Sequence, residues 1–372
     1  MNHVPLALPI SMAIALCAPL RVAGQAPPPS ALVNAQTAEA LEAARAASPH
    51  SPDETFAYFE EDVDAAMARA LERVWDPRRV QPSALRTPWG DPDLGGYWVS
   101  ASYTPLERPV EIANKPYYTP QEAIEAFAKA VRQDAATDPA TVHYDWAEFG
   151  MDNWQSPIRP NLRTSLIVDP PNGRKPPLTP EGSVRFQAHE PRHTLESRNL
   201  YERCITGDQG PPRVPSAQAV GESQIVQTPD YVVLITQTNS DVRIIPLNDR
   251  PRLPDGVGAY LGSSRGHWEG DTLVVETTNF HDQARVRRIQ EVGSNLHLVE
   301  RFTRIEADLL LYAATLTDPT TWEAPWTFEI PWPRMEPPGL FEWACHENNY
   351  GLINVLKGAQ IRAAEFEAKS AQ

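Results

Sequence analysis

Two glutamates lie within segments of alternating apolar residues, the pattern typical of β-strands. Glu300 falls in residues 296–305 and Glu276 in residues 272–280. Successive side chains of a strand point to opposite faces, so each glutamate would point inward with its apolar companions. Burial raises the pKa of a carboxyl group toward the range that suits a general acid or base, so both are predicted acid–base residues. The companions are Leu296, Leu298 and Phe302 for Glu300, and Val274, Thr278 and Phe280 for Glu276.

The same strands allow other arrangements. An inward carboxylate is costly unless it is paired, so it could instead form a buried salt bridge with Arg301, Arg243 or Arg265. If both glutamates face solvent, the strand faces are reversed, and His297 with Arg301 becomes the inward pair. The sequence leaves these alternatives open.

Residues 265–271, Arg-Gly-His-Trp-Glu-Gly-Asp, concentrate a cation, an imidazole, an indole and two carboxylates at the start of a predicted strand. His267 is the predicted partner that exchanges a proton with the glutamate, and Arg265 or Arg301 would hold an oxyanion. The competing interpretation is plain turn chemistry, which Glu-Gly-Asp also supplies. His346 is interpreted as local scaffolding before the last helix.

The sequence contains no intact motif for a metal site, a catalytic nucleophile or a nucleotide cofactor. One His-Glu-x-x-His match occurs at residues 189–193, but Pro191 stands inside it, and the motif requires a continuous helix. The sequence has no Gly-x-Ser-x-Gly, Gly-x-Gly-x-x-Gly or phosphate-loop pattern. We therefore expect no metal and no cofactor.

The amino-terminal segment indicates export. Residues 5–20 are apolar apart from one serine, and Val22-Ala-Gly precedes a predicted signal-peptidase cleavage before Gln25, so the mature protein would be periplasmic or secreted. Cleavage leaves Cys204 and Cys345, which we expect to form a disulfide in an oxidising compartment, with two free buried thiols as the alternative. A net charge of −15 makes nucleic acid and anionic membranes poor partners, and no stable membrane insertion is expected.

The fold class predicted is mainly β, a β-barrel or strongly curved antiparallel sheet resembling a lipocalin, with helices at both ends. Short strand patterns recur through the chain, and 38 prolines oppose long helices. Residues 322–332 alternate so that Trp326, Phe328, Ile330 and Trp332 share a face. The expected divisions are a signal peptide (1–24), a helical leader (25–85), a β-rich main domain with inserted helices and loops (86–348) and a carboxy-terminal helix (349–372).

Four blocks of the sequence resemble a large family of secreted bacterial proteins that is common in soil and marine genomes. The most specific is Arg-Gly-His-Trp-Glu-Gly-Asp-Thr-Leu-Val-Val-Glu-Thr-Thr-Asn-Phe at residues 265–280, and another is Ala-Cys-His-Glu-Asn-Asn-Tyr-Gly at residues 344–351. The other two blocks are residues 86–98 and 163–174. The resemblance implies export and a β-rich body, and it carries no activity or catalytic residue over to this chain.

Three classes of function fit these expectations. The first is a cofactor-independent lyase, isomerase or hydrolase that acts by acid–base chemistry on a small apolar or ring-bearing molecule in a barrel-like cavity. The second is a lipocalin-like carrier of a hydrophobic ligand, which needs the cavity alone. The third is a structural envelope protein whose aromatic residues simply fill the core.

Overall fold

A computed structural model describes the chain from residue 74 onward, with gaps. The described residues are 74–135, 158–187, 194–207, 210–214, 221–248, 250–251, 253–254, 256–283, 289, 293–335, 339–347 and 349–370. The predicted signal peptide, most of the helical leader and the 189–193 motif lie outside them. Most of the predicted loop 138–160 lies outside them too.

The described residues contain ten strands and three α-helices, most of them close to their predicted positions. The strands are β1 (Gly96–Val99), β2 (Ile167–Asp169), β3 (Glu222–Gln227), β4 (Tyr231–Thr236), β5 (Val242–Pro246), β6 (Ser263–Glu269), β7 (Thr272–Thr278), β8 (His297–Glu306), β9 (Leu309–Thr317) and β10 (Trp326–Pro333). The helices are α1 (Pro120–Ala135), α2 (Pro180–Gln187) and α3 (Tyr350–Ser370). Three short 3-10 helices span Pro77–Arg79, Val110–Ile112 and Thr238–Ser240.

The strands form two antiparallel sheets. The first has the order β1-β3-β4-β5 and the second the order β2-β10-β9-β8-β7-β6. The mainly β, antiparallel architecture is therefore confirmed, but the described strands do not close into one barrel. Strands β5 and β6 lie near each other without ladder pairing, and the connection between them includes Gly262 in the left-handed region.

The consecutive strands from β6 to β9 form a meander whose first strand was not expected. Residues 266–271 were interpreted as turn chemistry before the predicted strand at 272–280, whereas residues 263–269 form β6 and pair with β7 from Ser263↔Thr278 to Glu269↔Thr272. The turn is confined to Gly270 and Asp271, with Gly270 at φ +60°, where a side chain would be strained. Glycine has a low strand propensity, so pairing with β7 decides the structure here.

Aromatic side chains fill the inner face of the six-stranded sheet. Trp326, Phe328, Ile330 and Trp332 are fully buried on one face of β10, as their alternation predicted. Tyr312 on β9 stacks on Trp332 with ring centroids 4.7 Å apart. This packing joins the inner faces of both sheets in one hydrophobic core.

The helices begin where their capping residues predict. Thr119 and Glu122 form a reciprocal capping box at the start of α1, with the Glu122 amide donating to Thr119 and the Thr119 amide to Glu122. The Thr179 hydroxyl accepts from the Gly182 amide at the start of α2. At α3, Asn349 accepts from the Leu352 amide at 3.3 Å. Within the described residues, no helix has the length and apolar character needed to cross a bilayer.

Cys204 and Cys345 form the expected disulfide. Their Cα atoms lie 5.7 Å apart and their sequence separation is 141 residues. Closing a loop of this length in the unfolded chain stabilises the folded state by roughly 4–5 kcal/mol as an upper estimate. The bridge therefore ties the segment before α3 to the loop that leads into the four-stranded sheet.

Candidate functional site

Glu300 points inward, as its strand alternation predicted. Its side chain is fully buried, between Leu298 and Phe302 on the inner face of β8. Its carboxylate accepts hydrogen bonds from Arg243 on β5, with Nη1···Oε1 at 3.1 Å and Nη2···Oε2 at 2.6 Å. The salt bridge to Arg243 was one of the alternatives for an inward carboxylate, and it joins the four-stranded sheet to the six-stranded one.

Tyr312 extends this ion pair into a network. Its hydroxyl donates to Glu300 Oε1 at 2.9 Å and accepts the backbone N–H of Arg213 at 2.9 Å. Burial and the neighbouring Glu300 carboxylate raise the pKa of Tyr312 well above its ordinary value. Ser264 and Thr277 accept further hydrogen bonds from Arg243, so the guanidinium is held from several sides.

His267 and Glu276 point away from Glu300. Strand pairing aligns Glu300 with Val275 and Gly266 across the sheet, and it aligns Arg301, Val274 and His267 in the next row. Adjacent rows lie on opposite faces of a sheet, so the predicted proton exchange between Glu300 and His267 has no geometric basis. The face assignment was right for Glu300 and wrong for Glu276, since the alternation of β7 places apolar residues on both faces.

The outer face of the meander carries the remaining predicted residues. His267 Nε2 lies 3.2 Å from Glu269, and Glu269 accepts from Arg301 at 2.5 Å. His297 lies 4.0 Å from Glu276. The Arg301 and His267 contacts lower the pKa of Glu269. Arg265 donates to the backbone carbonyls of residues 250, 251 and 264 instead of facing an oxyanion.

A second arginine, Arg213, lies inside the molecule near the first network. Its Nη2 donates to Ser100 Oγ, the Gly221 carbonyl and Ser223 Oγ. Burial lowers the pKa of Arg213 to about 10, while Tyr312 and Glu222 favour its charged form. A second buried guanidinium therefore lies at the inner face of the four-stranded sheet.

Arg213 and Arg243 both line a small cleft, with a cavity volume of about 10 Å³, at the end of the β4–β5 hairpin. Leu234 and Arg243 are direct cross-strand neighbours on β4 and β5, which explains why an aliphatic and a cationic side chain stand together there. Arg243 is 7% exposed, and its Nε–H has no hydrogen-bond partner among the described residues. The complete lining is Gly210, Arg213, Leu234, Thr236, Asp241, Arg243 and Leu261.

Asp241 supplies the titratable group of this cleft. Its carboxylate accepts the Gly207 N–H at 2.7 Å. Burial raises the pKa of Asp241 to about 6, although the Gly207 hydrogen bond and the charge of Arg213 oppose the change. A carboxyl group with this pKa changes its protonation near neutral pH, where an acid–base catalyst works best.

Sequence reasoning missed this site. Asn239-Ser-Asp241 reads as a turn between two strands, and the turn is indeed there, with Asn239 and Ser240 in the left-handed region. The alternation of Arg243 with Ile245 was a usable signal that an arginine points inward. Arg213 lies in a Pro- and Gly-rich loop where no periodicity exists, so no pattern indicates its burial.

Among the described residues, no group of three or more histidine, cysteine, aspartate or glutamate side chains is arranged to hold a metal ion. The sequence matches no family model and no curated protein. The resemblance to a secreted bacterial family therefore stays a prediction.

Proposed function

We propose that this chain is an exported, cofactor-independent enzyme that performs acid–base chemistry on a small, largely apolar molecule bound in the cleft. The observation that carries the proposal is the convergence of Asp241 with Arg213 and Arg243 between Leu234 and Leu261. A titratable carboxyl group, fixed cations and apolar walls are the parts that a proton-transfer site needs.

Each group has a distinct role in this proposal. Asp241 is the acid–base residue, because its pKa of about 6 lies near the working pH. Arg243 and Arg213 stabilise negative charge that develops on the substrate, since preorganised cations act strongly where water is scarce. Glu300 serves as the counter-ion that orients Arg243. The roles first assigned to Glu300 and His267 pass to Asp241 and the two arginines.

The size of the cleft restricts the substrate. Pockets for drug-sized ligands usually enclose about 300–1,000 Å³, whereas the cavity volume of this cleft is about 10 Å³, roughly the room that one water molecule needs. A substrate of few heavy atoms, or the small reactive end of a longer one, therefore reaches Asp241 only if the lining side chains move apart.

The test is to identify small molecules that copurify with the natively folded chain and to compare two tryptophan variants by mass spectrometry. Leu261→Trp fills the cleft, while Ile244→Trp is a matched control at a site 60% exposed on the outer face of β5. We expect the wild type and Ile244→Trp to retain a compound that Leu261→Trp lacks. Equal retention by all three proteins would contradict the proposed site.

Turnover of that compound then tests the role of Asp241. Asp241→Asn keeps the shape of the side chain and an oxygen that accepts the Gly207 N–H, but it cannot exchange a proton. We expect turnover to fall by roughly 10²–10⁴-fold. Full turnover by a folded Asp241→Asn variant would remove the acid–base assignment.

One observation favours a structural role as a second candidate. Trp326, Phe328, Trp332 and Tyr312 fill the inner face of the six-stranded sheet, the place where a lipocalin-like carrier would hold its ligand. In this alternative the buried ion pair fixes the two sheets together, and the cleft binds nothing. The absence of any copurified compound that depends on Leu261 would favour it.

We also propose a periplasmic or secreted location for the mature protein. The apolar segment at residues 5–20 supports export, and the Cys204–Cys345 disulfide is compatible with an oxidising compartment. Amino-terminal sequencing of protein from a periplasmic or culture-fluid fraction should start at Gln25. A cytoplasmic product that starts at Met1 would contradict this location.

A further inference from the structure

The carboxy-terminal helix α3 leaves most of its surface uncovered. It runs from Tyr350 to Ser370, which is about 30 Å at a rise of 1.5 Å per residue. Among its described side chains only Ala359 is buried, with Leu352 and Leu356 half-buried beside it on the same stripe. The large apolar side chains of the helix that stay exposed are Tyr350, Ile353, Val355 and Ile361. Apolar surface of this kind favours contact with another molecule.

The side of α3 opposite to Ala359 has a distinct set of residues. Each residue turns the helix by 100°, so Ile361 lies about 160° around the axis from Ala359. Lys357 and Glu365 are four residues before and after Ile361, and the three lie within about 80° of arc. All three are exposed, and the Ile361 side chain is 60% exposed. This stripe therefore presents a cation, an apolar centre and an anion in a row.

The first turn of α3 is held in place. The Cys204–Cys345 disulfide lies just before it. Asn349 donates through Nδ2 to the Glu202 carbonyl at 3.1 Å and to Cys204 Sγ at 3.4 Å, and its Oδ1 accepts the Leu352 N–H. These contacts fix the direction of the helix at its start. The stripe around Ile361 is thus presented in a defined orientation, which lowers the entropy cost of docking.

The charges of the stripe match the same stripe in reverse. A two-fold axis through Ile361 packs two copies of α3 antiparallel and brings Lys357 of each copy beside Glu365 of the other. The positions three and four residues from Lys357 are 353, 354, 360 and 361, and none of them is acidic, so no neighbour on its own helix competes for it. The same register sets Gly358 against Ala364, whose small size lets the backbones approach closely.

The overall charge of the chain also favours this stripe as a contact between copies. The formal net charge is −15, so two copies repel each other through most of their surfaces. A contact between copies needs a face whose charges balance. The stripe of Lys357, Ile361 and Glu365 has one positive and one negative charge around an apolar centre, so it meets this condition.

We propose that two copies of this chain associate through α3, packed antiparallel with Ile361 at the two-fold axis and with two symmetry-related Lys357–Glu365 ion pairs. This inference goes beyond the proposed function and does not depend on it. One pair of helices buries less than the roughly 1,600 Å² of a standard interface, so the dimer is weak and reversible.

The experiment is sedimentation equilibrium of the mature chain at about 5–500 μM, the concentration range that a small interface requires. We expect a reversible equilibrium between monomer and dimer. Ile361→Glu places two carboxylates face to face at the axis, so the dissociation constant should rise at least about tenfold. Ile244→Glu alters a side chain that is also 60% exposed, on the outer face of β5, and should leave the constant unchanged.

Charge reversal tests the antiparallel register. Lys357→Glu and Glu365→Lys each create two contacts between like charges, so each single variant should raise the dissociation constant roughly tenfold or more. The double variant exchanges the two charges and restores both ion pairs, so it should dimerise like the wild type. Both side chains are exposed, and circular dichroism of each variant checks that the helix is retained.

Each outcome bears on the proposal. A wild-type chain that stays monomeric throughout the concentration range overturns it. A dimer that survives Ile361→Glu but is lost in Ile244→Glu also overturns it, because the interface would then be the outer face of the four-stranded sheet. If the double charge reversal stays as weak as the single variants, the antiparallel register is wrong.

Discussion

The two faces of the β6–β8 meander carry similar residue types with very different surroundings. On β8, Glu300 points inward and is fully buried, while its neighbour Arg301 points outward and is half exposed. Glu300 is bonded to an arginine of the other sheet and to Tyr312. Arg301 is bonded to Glu269, two strands away on the same face.

The difference lies in what each ion pair must do. The buried pair bridges the sheets, and loss of one partner leaves a charge that water cannot reach. The outer pairs lie in solvent, where water and salt weaken them and no sheet depends on them. A cluster of charged residues in a sequence is therefore a poor guide to a site until its burial is known.

The largest effect should follow removal of Arg243. Arg243→Gln leaves the Glu300 carboxylate buried without its counter-ion, so the free energy of unfolding should fall by about 3–5 kcal/mol. Urea denaturation at neutral pH measures this loss. Arg301→Gln on the outer face is the matched control and should cost far less.

A paired replacement sharpens the same comparison. Arg243→Met combined with Glu300→Leu removes both charges, so the double variant should recover much of the stability that Arg243→Gln loses. Arg243→Gln with wild-type stability would show that the Arg243–Glu300 pair does not hold the two sheets together.

Tyr312→Phe tests the link from the Arg243–Glu300 ion pair to the loop that carries Arg213. The change removes a donor to Glu300 and the acceptor of the Arg213 N–H, and it leaves both groups buried. The expected loss is about 1–3 kcal/mol in the free energy of unfolding. Tyr260→Phe, at an exposed ring that lies tilted against His281, is the control and should be nearly neutral. A neutral Tyr312→Phe would mean that these contacts add no net stability.

Asp241→Asn should stabilise the folded protein in a pH-dependent way. The pKa of Asp241 is raised from 3.8 to about 6, so folding favours its protonated form, and that contribution is lost as the pH rises from about 4 through 6. At pH 7.5 the variant should be more stable than the wild type by roughly 1–2 kcal/mol, after discounting for partial exposure. At pH 4 the two should be equal.

The matched measurement compares urea midpoints at pH 4 and 7.5. Asp230→Asn, in the exposed β3–β4 turn, serves as the control. Equal stability of the wild type and Asp241→Asn at both pH values would show that the cleft does not perturb this carboxyl group.

Strand alternation predicted much of the β architecture, because a period of two is visible wherever one face of a strand is apolar. It correctly predicted that Trp326 and Trp332 share one face of β10 and that Glu300 points inward. It failed for Glu276, since β7 has Val274 and Val275 buried on opposite faces and so carries no clear period.

The candidate site could not be predicted from the sequence, because long-range contacts bring its residues together. Arg243 meets Glu300 only after β5 and β8, which are 57 positions apart at these residues, lie in facing sheets. Arg213 sits in a loop, and Asp241 follows a left-handed turn, so neither belongs to a periodic pattern. Whether the strands close into a barrel could not be predicted from the sequence either, because pairing between the edge strands of two sheets is a long-range contact that strand alternation does not indicate.

The smallest expected effect is a change in the pKa of Glu269 on the outer face of the meander. The hydrogen bond from Arg301 is the main cause of the lowered pKa of Glu269, and the contact with His267 is the second. Arg301→Gln should therefore raise the pKa of Glu269 toward its ordinary value, and His267→Ala should raise it less. Carboxyl NMR titration of the folded protein measures both changes.

Salt should affect the ion pairs on the two faces differently. The Debye length falls to about 3 Å in 1 M salt, so the pKa of Glu269 should also rise in the wild type at high ionic strength. The lowered pKa means that the outer pair contributes stability above the ordinary pKa of Glu269 and loses it as the pH falls through the lowered one. The stability lost in Arg243→Gln should change little with salt, because that pair is shielded from solvent. If salt changes the stability lost in Arg243→Gln as strongly as it changes the stability lost in Arg301→Gln, the inner pair is not buried from solvent and the assignment is wrong.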